Sequence, residues 1–211
     1  MTIRVDRRAV KRLLRSMQGM LLAFAVSALG YCGFVLLDSW IFQHREATRL
    51  EEFVHPRPAA GNHAQDRMII PAATSAPAAV TADGLIGRIA IPRLGLSVIV
   101  VEGTEAGTLR RAAGHIAGTA LPGQRGNVGI AGHRDTFFRE LRNILENDVI
   151  RFTTPGGDYR YRVVSLAIVS PTDVAILAPG PTQSLTLVTC YPFNFVGSAP
   201  SRYIVRAERI T

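Results

Sequence analysis

Hydrophobic and polar positions divide this chain into three differently patterned regions. Met17 to Leu37 (MQGMLLAFAVSALGYCGFVLL) contains no charged residue. At about 1.5 Å rise per residue, a helix of that length is roughly 31 Å long, close to the ~30 Å hydrocarbon layer of a bilayer. Arginines crowd its N-terminal side, Asp38 ends it, and Trp40 and Phe42 fall where the next interface would be. The positive-inside tendency then puts the N-terminus in the cytoplasm and everything after Trp40 outside. The apolar run exceeds the roughly 7–15 residues of a signal-peptide core, which favours a retained anchor over a cleaved leader. Ser39 to Phe53 reads as a short helix leaving the bilayer. From Val54 to Ala82, Pro56, Pro58, Pro71 and Pro77 interrupt an Ala- and Thr-rich stretch with little apolar patterning. That composition predicts a flexible tether spanning roughly 30 Å as a random coil.

From Asp83 onward short apolar runs alternate with turn signals. Leu85–Ile91 and Leu96–Val101 read as strands punctuated by Pro92 and Gly95. Thr104 is placed to cap a short helix through Arg111. Gly114 to Gly126 reads as a turn-rich connection and Asn127–Gly132 as a strand. Asp135 or Thr136 is placed to cap a helix carrying Phe137, Phe138, Leu141, Ile144 and Leu145. Val149–Phe152 and Tyr159–Ser170 are strands around the turn Pro155-Gly156-Gly157-Asp158. Pro171 to Gln183 is a loop or brief helix, followed by strands from Ser184 to Cys190 and from Arg202 to Arg206. Many short strands with little helix predict a mostly β fold, a small β-barrel. The division expected is a basic tail over 1–16, a membrane anchor over 17–37, a stalk and linker over 38–82, and one folded domain over 83–211.

Charge changes this picture little. Of the net +8, the stretch to Ser16 carries +5, Asp38 to Ala82 carries −1 and the remainder from Asp83 carries +4. The high isoelectric point is largely a property of the tail, and no basic stripe with interleaved aromatics points to a nucleic acid. Lys11 is the only lysine, so nothing beyond the tail offers a side-chain amine. Of the two cysteines, Cys32 lies inside the apolar segment and has no route to Cys190, so no disulfide is expected.

Candidate chemistry gathers at strand ends. In Thr186-Leu187-Val188-Thr189-Cys190, period-2 alternation puts Thr186, Val188 and Cys190 on one face and Leu187 and Thr189 on the other. Pro192, Gly197 and Pro200 break the chain after the thiol, and Arg202 opens the next strand. The strand Gly129-Ile130-Ala131-Gly132 ends on His133, with His115 in a Gly-flanked loop as the rival imidazole. His44, His55 and His63 read as solvated. A strand-end Cys is as often a small buried hydrophobe as a nucleophile, a strand-end His is commonly structural, and Arg202 alone is an ordinary surface charge. Asp135 reads as a helix cap. Together, Cys190, His133 and Arg202 are the parts of a thiol-based acyl transferase.

These residues resemble the sortases, membrane-anchored cysteine transpeptidases of bacterial surfaces. Thr186-Leu187-Val188-Thr189-Cys190 matches the family's TLxTC motif, and His133 and Arg202 fall where the family histidine and arginine are expected. Gly118 to Gly123 and Gly132 to Phe138 are similar to the class D branch in particular. The resemblance covers roughly Asp83 to Ile210. It implies an eight-stranded sortase-type β-barrel with short helices behind one N-terminal transmembrane helix. It implies that Cys190 attacks an LPXTG-type sorting signal to give a thioester, that His133 serves as acid and base, and that Arg202 holds the oxyanion or the substrate backbone. Thr189 would line the site, and Ala175, Ile176 and Leu177 of the Pro171–Gln183 connection would receive the signal's Leu and Pro. Surface proteins bearing a C-terminal LPXTG-like signal, an amine acceptor of the cell envelope and the membrane are the implied partners. No cofactor and no metal are expected, since no acidic cluster suggests a calcium site, and no lid segment of the class C kind is present. The competing expectation is a non-catalytic, membrane-tethered β-barrel that binds or scaffolds.

Overall fold

The computed structural model describes residues 7–54, 80–195 and 197–210, the side chains of 7–10, 12 and 13 excepted. Most of the expected tether, 55–79, lies outside the described residues. The chain divides after Ile41 into two units. The first is formed by the opening part of helix α1 (Arg7–Val54). Its large apolar side chains, Leu21, Leu22, Phe24, Leu29, Phe34 and Leu36 among them, are exposed. The helix is long and apolar enough to cross a membrane. Apolar side chains exposed all round a helix call for lipid rather than water.

The second unit, from Phe42, is a closed barrel of eight strands in the order β1-β2-β3-β4-β7-β8-β6-β5. Strands β1 (Leu85–Ile91) and β2 (Leu96–Glu102) pair antiparallel around a 3-10 turn at Pro92–Leu94. Helix α2 (Ala106–Arg111) then carries the chain across to β3 (Ala113–His115), which pairs parallel with β2. β4 (Gly126–Ala131) runs antiparallel to β3 and parallel to β7 (Gln183–Tyr191). β8 (Ser201–Ile210) pairs antiparallel with both β7 and β6 (Gly157–Val169). β5 (Val149–Thr154) closes the barrel between β6 and β1. Alternation along each strand sends one set of side chains inward, and Ile89, Val98, Ile130, Ile150, Phe152, Tyr161, Leu185, Leu187 and Val205 fill the core.

Three elements differ from the sequence reading. β3 lies where a turn-rich connection was expected. Three residues are too few to display a period, and one is glycine. The expected helix after Thr136 is instead a run of turns ending in a 3-10 helix at Arg139–Asn143, without a side-chain cap. The buried residues explain it. Phe138, Leu141 and Ile144 recur every third residue, the 3-10 period, while Leu145 is 57% exposed. Thirdly, the helix expected over Ser39 to Phe53 is present as the last part of α1, but it does not stand free as a stalk. From Phe42 on it folds with the barrel, burying Leu50 against Leu85 and Ile99. Gln43 accepts from the Ile99 N–H at 2.9 Å and donates to the Arg111 carbonyl at 2.7 Å. β3 is too short to pair with that part of β2, and the helix supplies the missing partner.

Candidate active site

The strand register sets the site. Cys190 on β7 is the direct partner of Arg202 on β8. On the other side of β7 the parallel ladder with β4 ends at Ala131 opposite Val188. Gly132 extends it, its N–H donating to the Val188 carbonyl at 3.1 Å. The Thr189 hydroxyl closes the ladder by donating to the Gly132 carbonyl at 2.7 Å. His133 therefore leaves β4 beside the Cys190 end of β7, one strand spacing of about 4.8 Å away. Three elements distant in sequence thus bring the residues Cys190, His133 and Arg202 to one edge of the barrel. Leu187, Ile130 and Val205 point inward, so by alternation Cys190 and Arg202 point outward.

Cys190 is half-buried and His133 exposed. Among the described residues no hydrogen bond or ion pair holds the His133 ring. Arg202 turns its guanidinium onto its own connection, donating to the carbonyls of Ala199 at 3.3 Å and Ser201 at 3.1 Å. Gly132 is required just before the histidine, because a Cβ there would lie 2.6 Å from the Phe138 ring. The rival His115 is buried and bonded at both nitrogens, to Glu102 and to Thr119 and Ala120.

Ala175–Leu177 forms a 3-10 turn in the β6–β7 connection. The side-chain amide of Asn127 donates to the Ile176 carbonyl at 3.1 Å, and its oxygen accepts from Thr186 at 2.8 Å and Ser184 at 3.3 Å. Leu177 packs over Gly129, where an added Cβ would come within 3.1 Å of it. The connection thus rests on the outer surface of β4, on the same side as Cys190. Asn127 was missed by the sequence reading, although a buried amide in an apolar strand is itself a signal that something polar is being held.

Arg134 was missed as well. It is buried, and its guanidinium donates to the carbonyls of Pro192 at 2.8 Å, Phe195, and Gly197 at 3.3 Å, with Asp135 at 3.4 Å and the Phe195 ring beneath it. It binds the segment carrying His133 to the β7–β8 connection. Asp135, expected to cap a helix, is an exposed partner of Arg134 instead.

A strand-end cysteine with a histidine and an arginine at the neighbouring strand ends is the residue set of a thiol acyl transferase. Comparison with known proteins agrees. The sortase domain family model matches residues 89–210. Over 195 residues the chain is 31% identical to Sortase D of Bacillus subtilis (strain 168), covering 90% of this chain and 96% of that protein. A Clostridium perfringens Sortase D5 transpeptidase structure matches at 31% identity and a TM-score of 0.55, covering 61% of this chain and 79% of that one. Sortase A from Corynebacterium diphtheriae matches at 34% identity and a TM-score of 0.57, over 60% and 61% of the two chains. The chain belongs to the sortase family. It is a cysteine transpeptidase, an enzyme rather than a scaffold, and its family acts at the cell surface on proteins bearing sorting signals.

Proposed function

We propose that this protein cleaves an LPXTG-type sorting signal through a thioester on Cys190 and passes the acyl group to an amine of the cell envelope. The N-terminus lies in the cytoplasm and the barrel outside, as the basic tail favours. The Cys190 sulfur attacks the carbonyl of the scissile peptide bond, and the C–N bond breaks as the leaving amine takes a proton from His133. The incoming amine then forms a new C–N bond at the thioester carbonyl while the C–S bond breaks, and its proton goes to His133. Arg202, with donors left over after its bonds to Ala199 and Ser201, stabilises the charge that develops on the carbonyl oxygen. Thr189 holds the end of β4 against the nucleophile's strand. Ala175, Ile176 and Leu177 form the wall against which the signal's Leu and Pro lie, with Asn127 fixing that wall. A thioester suits the task because amines attack it far more readily than water does.

The observation that carries this reading is the pairing of Cys190 with Arg202, with β4 delivering His133 to the other side of the same strand end. The test is mass spectrometry of the full-length chain in detergent, mixed with a library of LPxTx peptides and an amine. The expected result is an acyl adduct on Cys190 and an amide-linked product, both absent in Cys190→Ala. An unmodified Cys190 across the whole library would overturn the proposal.

A further inference from the structure

Transfer needs a second substrate, and the rim that carries Cys190 has a second side. Cys190 and Arg202 point outward, so their neighbours Tyr191 and Tyr203 point inward at the mouth of the barrel. There the β7–β8 connection stands away from the end of β6 and leaves a cavity of about 420 Å³. Arg142, Ile168, Tyr191, Phe193, Asn194 and Tyr203 line it.

The chemistry of the cavity is specific. Tyr191 and Tyr203 stack at 6.1 Å, and Phe193 stands edge-on to both, at 6.1 and 5.3 Å. Burial, and after it the neighbouring Tyr191, raises the Tyr203 phenol above its ordinary value. This is a rigid apolar wall against which an alkyl or peptide backbone chain can lie. Ile168 is 53% exposed in spite of its inward register beside Tyr203, so an apolar side chain waits uncovered. Arg142 is the one charged residue in the lining. Its nearest acid, Glu140, is 3.9 Å away with both side chains well exposed, a pairing of little strength. The guanidinium is left able to form a two-pronged bond with a carboxylate.

We infer that this cavity is the acceptor site, and that it takes an amine bearing a carboxylate several bonds away, the chain lying on the aromatic wall and the carboxylate on Arg142. The inference rests on the thioester reading above. The donor peptide occupies the outer surface beneath the β6–β7 connection, and the acceptor comes over the rim from the inner side, so the two do not compete for space. An amine and a carboxylate several bonds apart, as in a peptide or a long side-chain amine, let the chain run along the aromatic wall between Arg142 and Tyr191, the residue next to Cys190.

The test uses the full-length chain in detergent, acylated by a sorting peptide, with triglycine and triglycine amide as acceptors. Triglycine is expected to have the lower KM. Arg142→Gln should raise the KM for triglycine roughly tenfold and leave that for the amide unchanged. Formation of the thioester, in which the acceptor takes no part, should keep its rate. Ile168→Trp, which fills the cavity at an exposed position, should raise the KM for both acceptors without slowing acylation. Equal use of acid and amide by the wild-type protein, or an Arg142→Gln change that falls equally on both, would overturn the acceptor site while leaving the thioester intact. Failure to form any thioester would sink the function reading instead, and the acceptor site with it.

Discussion

His115 and His133 come from neighbouring strands of one barrel, and each is preceded by a glycine. His115 is 3% exposed. Its Nδ1 lies 2.8 Å from a Glu102 carboxylate oxygen, and its Nε2 lies 3.0 Å from the Thr119 hydroxyl and 3.1 Å from the Ala120 carbonyl. The same hydroxyl donates to the Ile116 carbonyl at 2.7 Å and accepts from the Gly129 N–H at 3.0 Å. This ring is a rivet joining β2, the β3–β4 connection and β4. His133 lies beyond the last rung of its ladder, exposed, with its ring unbonded among the described residues. A ring with both nitrogens occupied cannot carry protons to a substrate, and one open to solvent at the neighbouring strand end is free to. On the proposed function, neighbouring strands give the same side chain opposite uses, and burial decides which.

The largest expected effect separates the two directly. His133→Ala should slow transpeptidation by roughly 10²–10⁴-fold with an unchanged melting temperature. His115→Ala should do the reverse, lowering stability by about 2–3 kcal/mol through broken buried hydrogen bonds and the space left behind. Its remaining folded fraction should turn over near the wild-type rate. Thermal melts and transfer rates on the same preparations decide it. A fully folded His115→Ala protein without activity would break the comparison.

Arg134 sharpens it, because it is bonded like His115 and placed like His133. Arg134→Ala strips the carbonyls of Pro192, Phe195 and Gly197 of their shared buried donor, a loss on the order of 2 kcal/mol. The connection released is the one on which Arg202 rests. Stability and acylation rate should therefore fall together, with faster protease nicking between Pro192 and Pro200. Arg134→Lys, a single charged centre in place of a planar fork, should recover only part of both. Acylation at the wild-type rate with a lowered melting temperature would make Arg134 a rivet only.

Much of this site is legible in the sequence, for reasons its residues make plain. Cys190 and Arg202 end long alternating strands, and a two-residue period survives any tertiary context that buries one face. The twelve-residue step between them fits antiparallel neighbours joined by a loop. Arg134 is not legible, because a charge between His133 and Asp135 in a turn reads as solvated until the loop folds over it. The cavity is hidden for a similar reason: Arg142, Ile168 and Tyr203 lie on three separate elements, and only closure of the barrel brings them together. The docking of the last part of α1, from Phe42 on, escapes as well, since Gln43 and Leu50 stand in a stretch rich in arginine and acid that looks like a solvated stalk.

The smallest effect concerns a second rivet, nearer the surface than His115. Both Nε and an Nη of Arg93 donate to the Asp148 carboxylate, and Arg93 also donates to the Asn143 carbonyl at 2.7 Å. Asp148 accepts from the Leu145 N–H at 2.9 Å as well. The hydrogen bond from Arg93 is the main reason the Asp148 carboxyl is held below its ordinary value, with burial working the other way. A carboxyl whose folded value lies below its unfolded one contributes stability above the unfolded pKa of about 3.9, and that stability is lost as pH falls through the folded value. Asp148→Asn should therefore lower the melting temperature by a few degrees at pH 7, with Arg93 so exposed that the effect stays small. Lowering the pH through 4 toward 2 should close the gap between variant and wild type, because the wild-type carboxyl then loses its charge too. A gap that stayed constant over that range would mean that Asp148 holds the Leu145–Asp148 turn by shape rather than by charge, and would leave His115 as the barrel's polar rivet of consequence on this comparison.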